Sequence, residues 1–503
     1  MPASLREEGR IYMQLDALLA FLINSRCVGN ANIEITGLQI DSRKIEPGNL
    51  FICLPGFAVD GHDYAEQAVA AGASAVVAER GISVNATTVY VPDTRRAMAI
   101  LADRFYGQPT HRMKVIGVTG TNGKTTTTHL IQKVLNDAGH PAGIIGTIEM
   151  RMGQEGKPVK NTTPEAVDLQ QAFHWMAEQG AEYAAIEVSS HALDMGRVRG
   201  VRFTTAVFTN LTQDHLDYHV TMEKYRDAKG LLFSQLGNEY DKDQMKYAVL
   251  NSDDEASDTY ARITSAQVIT YGISSRADVM ARNISISPSG TSFTLDTFAG
   301  SVPLHLKMIG NFNVYNALAA AAACLAEGIS LEQIKRSLEE MEGVRGRFER
   351  VDGGQEYTVI VDYAHTPDSL ESVLQTVRDF AKRDVYCIVG CGGDRDRTKR
   401  PIMARVAAAY ADLAVLTSDN PRSEDPEAIL ADMMAGLADV PDRKYVTMVD
   451  RREAIRYAIG QAKPGDVIII AGKGHETYQI IKDRVLHFDD KEEAMLAINE
   501  REK

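Results

Sequence analysis

The sequence predicts an α/β protein of three domains, and three observations carry that prediction. The chain has 503 residues, which at roughly 100–200 residues per domain corresponds to three or four domains. Two Gly-rich breaks punctuate it, Gly107-Gln108-Pro109-Thr110 and Gly343–Gly346, so the domains are expected at 1–110, 111–345 and 346–503. The last third alternates apolar strand-like runs with helical stretches, the pattern of a Rossmann-like, doubly wound parallel sheet.

The elements follow in order. In the first segment Gly37–Ile40, Leu50–Leu54 and Ala75–Ala78 read as strands and Tyr64–Ala71 as a helix stopped at Gly72, a small mixed α/β unit. The second opens on an apolar strand, Lys114–Val118, and a Gly-rich loop. A helix over Thr125–Ala138 follows, carrying Leu130, Ile131, Val134 and Leu135 on one face and ending at Gly139. Ala184–Val188 and Thr205–Thr209 read as strands. Ile284–Ile286 and Ser292–Leu295 flank a Pro288-Ser289-Gly290 turn and form a hairpin, and an Ala-rich helix, Val314–Ala326, closes the segment. In the third, strands are expected at Thr358–Val361, Val385–Val389, Leu413–Leu416, Tyr445–Met448 and Val467–Ala471.

Composition bounds the function. Hydrophobic residues make up 44% and charged residues 24%, an ordinary globular balance that excludes collagen-like, disordered and disulfide-scaffold classes. Lys and Arg number 54 against 68 Asp and Glu, a net −14, so binding of nucleic acid through bulk charge is not expected. That sum says nothing of local patches. Cys27, Cys53, Cys324, Cys387 and Cys391 are irregularly spaced and read as reduced core thiols. The N-terminus lacks a signal-peptide stretch, and the longest helical apolar run, Ala317–Ala326, is shorter than the ~18 residues that span a bilayer. A cytoplasmic protein without membrane insertion is the expectation.

The chemistry begins at Thr119-Gly120-Thr121-Asn122-Gly123-Lys124-Thr125-Thr126, between a buried strand and a helix. Glycines there let backbone N–H groups curl around phosphate oxygens, and the helix N-terminus adds favourable partial charge. Lys124 would reach the β/γ-phosphates of ATP and the Thr125 hydroxyl a magnesium ion. The usual eight-residue phosphate-loop pattern wants Gly where Val118 stands, so this is a shorter variant, Gly-x-x-Gly-Lys-Thr. Glu187, inside an apolar strand running into Ser189-Ser190-His191, would be costly if unpaired, and Mg²⁺ beside the triphosphate would supply its partner. A second cluster, Asn210–Asp217 with His215, ends the next strand. Ligands gather at the carboxyl ends of strands in open α/β sheets, so both clusters are expected to face the loop.

With Asn311-Phe312-Asn313-Val314-Tyr315-Asn316, these runs resemble the Mur ligase family in order and spacing over nearly the whole chain. The resemblance implies a uridine-binding first domain, a central P-loop ATPase-like domain and a C-terminal domain for the incoming amino acid. It implies magnesium ligation by Thr125 and Glu187, a second magnesium on His215, and an adenine-side position for Asn316. It also implies that Lys229, in Tyr225-Arg226-Asp227-Ala228-Lys229, is carbamylated by CO₂, turning an ammonium into a metal-holding anion. Lys124, Glu187, His215 and Lys229 are thus the catalytic set. Arg347 and Asp362 would meet ATP on domain closure.

The implied reaction is ATP-dependent amide formation through an acyl phosphate, adding meso-diaminopimelate to UDP-N-acetylmuramoyl-L-Ala-D-Glu, by a monomer. Asp419-Asn420-Pro421-Arg422, by itself an ordinary turn, matches the signature for diaminopimelate, with Arg395, Gly472 and Glu476 as its other contacts. Arg422 can grip the extra carboxylate bidentately, and discrimination against lysine of about 10⁴-fold follows if it is desolvated. For the sugar nucleotide, Ile40, Ser42, Phe57, Ala58 and Val59 match the uridine side. Asn161, Thr162, Thr163, Ser189 and Arg197 match the muramoyl-dipeptide. The rival readings are the same ligase using L-lysine, a folylpolyglutamate synthetase-like ligase, and a non-catalytic nucleotide sensor. The last is disfavoured because Lys124, Glu187 and His215 are all present.

Overall fold

A computed structural model describes residues 11–56, 59–238, 240, 245–287, 289–439 and 444–501. Phe57 and Ala58, expected at the uridine side, and Pro288 of the hairpin turn lie outside the described residues.

The N-terminal sheet has five strands in the order Arg26–Val28, Thr87–Tyr90, Ala75–Ala78, Asn49–Ile52, Gly37–Gln39. All but Arg26–Val28 run parallel. Ala75–Ala78 and Asn49–Ile52 are buried at every position, which is why they read as continuous apolar runs. Asp93 caps the helix Thr94–Phe105, accepting from the Arg96 N–H, and Leu101, Ala102 and Phe105 close the core over the sheet.

The central sheet has eleven strands. Its heart is parallel, with Ala142–Ile145, Tyr183–Glu187, Lys114–Thr119, Phe203–Phe208, Tyr247–Asn251 and Gln267–Gly272 as successive neighbours. One end carries the antiparallel meander Val279–Ser287, Gly290–Thr297, Gly300–Leu306, the other the short strands Met150–Met152 and Glu155–Lys157. Hydrophobic cores lie on both faces of this sheet. The Ala-rich helix, Asn311–Ala326, is buried over most of its length against the phosphate-loop helix Lys124–Asp137. Small side chains allow that close approach.

The expected strands of this domain are present. Six were not anticipated: Ala142–Ile145, Met150–Met152, Glu155–Lys157, Tyr247–Asn251, Gln267–Gly272 and Gly300–Leu306. The physical reason is visible in Glu155–Lys157, exposed throughout, and in Gln267–Gly272, exposed at its start, where no apolar period marks the strand.

The C-terminal sheet runs Glu349–Val351, Thr358–Asp362, Val467–Ala471, Val385–Cys391, Leu413–Ser418, Tyr445–Met448. All neighbours are parallel except at Glu349–Val351. Cores on both faces make it doubly wound, as expected. The five cysteines are unpaired. No described helix is long and apolar enough to cross a membrane.

Candidate functional site

The phosphate loop leaves the strand Lys114–Thr119 and enters the helix at Lys124. Gly120 (φ +149°) and Gly123 (φ +84°) are required: a Cβ on the first would lie 1.8 Å from Thr209 Oγ1, and one on the second 2.4 Å from Asn316 Oδ1. The loop is laced to the next strand end. Thr121 N–H donates to Asn210 O at 2.8 Å, Asn122 N–H to Asn210 Oδ1 at 2.9 Å, and Thr209 Oγ1 to Asn122 O at 2.6 Å. Lys124 Nζ bends over its own loop, donating to Gly120 O (2.9 Å) and Thr121 O (2.7 Å), and burial lowers its pKa. Thr119 and Thr126 are buried beneath.

Glu187 ends the adjacent strand with no solvent exposure. Its carboxylate accepts from Thr125 Oγ1 (3.0 Å), Thr147 N–H (2.8 Å) and Thr147 Oγ1 (3.0 Å). Gly146 leaves room for it: a Cβ there would lie 2.2 Å from Glu187 Oε1. Among the described residues no three His, Cys, Asp or Glu side chains converge as a cation cage. A carboxylate and a hydroxyl in contact nevertheless fit a phosphate-bound Mg²⁺, which keeps several waters and takes only one or two protein ligands.

Lys229 lies on the helix Met222–Ser234, capped by Thr221. It is 1% exposed, its Nζ donates to Gly120 O at 2.9 Å and stands 4.3 Å from the centre of the Tyr225 ring. Burial, helped by Lys124, pushes its pKa well below that of an ordinary lysine. Such a lysine is held toward its neutral, nucleophilic form. His215, in the left-handed region (φ +55°), has Nε2 3.3 Å from Asp214 Oδ2 and packs edge-on against His191, ring centres 4.8 Å apart. Burial lowers its pKa while Asp214 opposes the shift.

The C-terminal domain reaches into this centre. Arg347 lies over the Tyr363 ring (4.6 Å) and donates through Nη2 to Thr125 Oγ1 at 3.0 Å. Asp362 is buried and braces the backbone, accepting from Phe348 N–H (2.6 Å) and Ala364 N–H (2.7 Å); burial raises its pKa. Asp368, which no sequence signal singled out, accepts from Asn122 Nδ2 at 3.0 Å and Thr212 Oγ1 at 2.8 Å. Asn316 Oδ1 accepts from Thr127 Oγ1 at 3.4 Å, against the loop.

Two cavities adjoin the centre. One of about 1810 Å³ lies against the N-terminal domain, lined by Ile40, Ser42, Val59 and Asn161 among others. The other, about 1800 Å³, lies between the central and C-terminal domains. Asn161, Thr162, Ser189, Arg197, His215 and Thr147 line its central side, and Asp368, Arg395, Asp419, Asn420, Arg422, Gly472 and Glu476 its C-terminal side. Thr163 is buried behind this wall, donating to Glu187 O (2.8 Å) and accepting from Ser189 N–H (3.0 Å). Arg197 pairs with Glu165 at 2.9 Å.

On the C-terminal wall Arg422 sits at φ +52° and donates through Nη1 to Gly393 O at 2.7 Å. Its turn, with Pro421, packs so closely on Gly393 that a Cβ there would lie 1.9 Å from Pro421 O. Gly472 (φ +115°) is held bare for the same reason, a Cβ falling 2.7 Å from Asp419 Oδ2. Arg395 is exposed, its Nη1 on Asp394 O at 3.0 Å. Glu476 accepts from Asn420 Nδ2 at 2.8 Å. The geometry thus joins a phosphate-binding loop, a metal-competent carboxylate and a pocket bearing both arginine and carboxylate groups.

Comparison with known proteins supplies family context. The family description "Mur ligase family, catalytic domain" matches residues 34–106, "Mur ligase middle domain" residues 118–324, and "Mur ligase, glutamate ligase domain" residues 346–474. The chain is 60% identical over 97% of its length to the UDP-N-acetylmuramoyl-L-alanyl-D-glutamate–2,6-diaminopimelate ligase of Geobacillus thermodenitrificans, covering 100% of it. It is 58% identical to the protein of that name from Bacillus cereus, over 97% of this chain and 99% of that one. A solved structure of a UDP-N-acetylmuramoyl-L-alanyl-D-glutamate–2,6-diaminopimelate ligase superposes with TM-score 0.68 at 35% identity, covering 98% of this chain and 99% of that one. A MurF structure from Acinetobacter baumannii, at 23% identity and TM-score 0.66 over 92% and 95%, shares the fold.

Proposed function

The chain belongs to the Mur ligase family, and from that premise we propose that it is the ATP-dependent, ADP-forming ligase joining meso-diaminopimelate to UDP-N-acetylmuramoyl-L-Ala-D-Glu, a cytoplasmic step of peptidoglycan synthesis. The observation that carries this reading is the continuity of the binding surface. Residues 157–161 line both cavities, so one elongated ligand can lie with its nucleotide against the first domain and its acyl end beside Thr147 and Ser189. Thr147 in turn holds Glu187, and Glu187 touches Thr125 of the phosphate loop.

The chemistry follows from these residues. Backbone N–H groups of Gly123 and Lys124 and the Lys124 ammonium bind the β/γ-phosphates of ATP, since those of Thr121 and Asn122 are taken by Asn210. Thr125 and Glu187 would hold Mg²⁺, which when bound would supply charge neutralisation to the phosphates. Phosphoryl transfer to the D-glutamate γ-carboxylate gives an acyl phosphate and ADP. The free amine of meso-diaminopimelate attacks that carbonyl, loses a proton, and phosphate leaves as the amide forms. Lys229, once carbamylated, would with His215 hold a second Mg²⁺; burial lowers the pKa of its amine, which favours the neutral form that adds CO₂. Arg422 and Arg395 take the distal carboxylate of the amino acid and Glu476 an ammonium. Arg347 and Asp368 draw the C-terminal domain over the loop, keeping water from the acyl phosphate.

The testing experiment measures phosphate release with ATP, Mg²⁺ and UDP-N-acetylmuramoyl-L-Ala-D-Glu, adding meso-diaminopimelate or L-lysine separately. Release with the first and little with the second is expected. Equal rates overturn the amino-acid assignment, and no release with either overturns the ligase assignment.

A further inference from the structure

The amino-acid pocket contains a charged group that none of the roles above uses. Lys473 has no solvent exposure at all, in a domain whose surface offers long side chains every opportunity to reach water. A buried ammonium is tolerated only when its three N–H groups are matched. Here they are: Nζ donates to Tyr478 O at 2.5 Å, Glu476 Oε2 at 3.2 Å and Asn420 Oδ1 at 3.4 Å, with Asp419 Oδ1 3.9 Å away. Three of these four partners belong to residues assigned above to the amino acid.

The hydrogen bonds divide the Glu476 carboxylate in two. Oε2 receives both Lys473 Nζ and Asn420 Nδ2. Among the described residues no donor is recorded on Oε1, and Glu476 lines the cavity between the central and C-terminal domains. Asn420 is fixed in turn, because its Oδ1 also accepts from Ile480 N–H at 2.9 Å. The flanking glycines press the arrangement home, with Gly474 at φ +53° and Gly472 facing Asp419.

We propose that Lys473 is a positioning residue for amino-acid recognition: by occupying Glu476 Oε2 and Asn420 Oδ1 from inside the domain, it turns Glu476 Oε1 toward the pocket to receive a substrate ammonium. Lys473 also separates two carboxylates, Glu476 and Asp419, that would otherwise share one desolvated site, where a single proton is easily captured. Burial and Asp419 already raise the Glu476 pKa, and Lys473 works against both. The side chain acts through Glu476 and does not itself touch substrate. This inference rests on the reading that the pocket takes the incoming amino acid, and wild-type turnover with meso-diaminopimelate tests that reading separately.

The experiment is a double-mutant cycle on the full chain. Initial rates of phosphate release are measured against meso-diaminopimelate for the wild type, Lys473→Met, Glu476→Gln and the double variant, with ATP, Mg²⁺ and sugar nucleotide saturating. Each single change is expected to raise the KM for meso-diaminopimelate about 30-fold or more. The double variant should rise no more than about threefold beyond Glu476→Gln alone, because both changes remove one device. KM for ATP and for the sugar nucleotide should stay within about threefold of wild type, a split that general loosening of the domain would not produce. A Lys473→Gln variant, which keeps an N–H for the Tyr478 carbonyl, is read in parallel and carries the test where the methionine variant does not fold. Active wild type with an unchanged amino-acid KM in the Lys473 variants, or single effects that multiply in the double variant, overturns the proposal.

Discussion

Replacing Arg422 with lysine keeps the charge and removes the fork, and its effect can be worked from the turn that holds it. The backbone there is pinned on both sides: Arg422 N–H donates to Ile480 O at 3.0 Å, and Lys482 N–H donates to Arg422 O at 2.6 Å. The new side chain therefore starts from the same place and direction. In the wild type, Nη1 is engaged with Gly393 O at 2.7 Å, and the remaining N–H groups of the planar guanidinium are left for a carboxylate. A lysine ammonium is a point donor and cannot hold the Gly393 carbonyl and both carboxylate oxygens together. At least one charge-assisted hydrogen bond is lost, about 1.5–3 kcal/mol, or about 10- to 150-fold in the KM for meso-diaminopimelate. Steady-state phosphate release with the other substrates saturating gives this number directly. KM for the sugar nucleotide should change less than about threefold, since its nucleotide cavity is lined by other residues and its acyl end lies beside Thr147 and Ser189 on the opposite wall of the second. A rise of less than threefold for meso-diaminopimelate, or an equal rise for the sugar nucleotide, would refute the reasoning.

Three further outcomes are expected. Gly146→Ala brings a methyl group to 2.2 Å from Glu187 Oε1 and 2.8 Å from its Cδ; the displaced carboxylate should cut turnover about 100-fold and raise the Mg²⁺ concentration for half-maximal rate, so wild-type kinetics would contradict the role given to Glu187. Lys229→Ala, which deletes a 1%-exposed amine, should lower kcat by about 100-fold or more and be partly restored by a short carboxylic acid; absence of rescue with normal ATP binding would remove the carbamate. Asp253 accepts from the N–H groups of Ile273, Ser274 and Ser275 and from Tyr315 OH, which outweigh burial and hold its pKa at about 2. Because the folded pKa lies below the unfolded one, the stabilisation is complete above about pH 4 and is lost as pH falls toward 2. Asp253→Asn should therefore lower the thermal midpoint at pH 7 and converge with wild type in acid; a constant gap in melting scans would disprove the linkage.

Local features were legible from the chain. A buried strand, a Gly-rich loop and an amphipathic helix in succession specify a phosphate loop, since backbone conformation at Gly120 and Gly123 is set within a few residues. Glu187 stood out because an acid within an apolar strand demands a partner. The doubly wound third domain followed from its strand-helix alternation. Lys229 was different: in the sequence it is a helix lysine like those of any solvated face, and only the family resemblance marked it. Its burial depends on Gly120 and Lys124, over a hundred residues away in sequence.

Other features had no local signal at all. Thr147 and Gly146 shape the Glu187 site from an unremarkable turn, and Asp368 reaches Asn122 across 246 residues. Lys473 carries no signal of its own between Gly472 and Gly474, because nothing in the local sequence says that Asn420 and Glu476 will close around its ammonium. The sequence by itself determined the three-domain α/β class, the phosphate loop and the chemical inventory of the site, because propensity, turn chemistry and hydrophobic period act over neighbours. Tertiary structure alone decided which groups are desolvated and which face the pocket, because burial and hydrogen-bond partnership belong to distant segments brought together by packing.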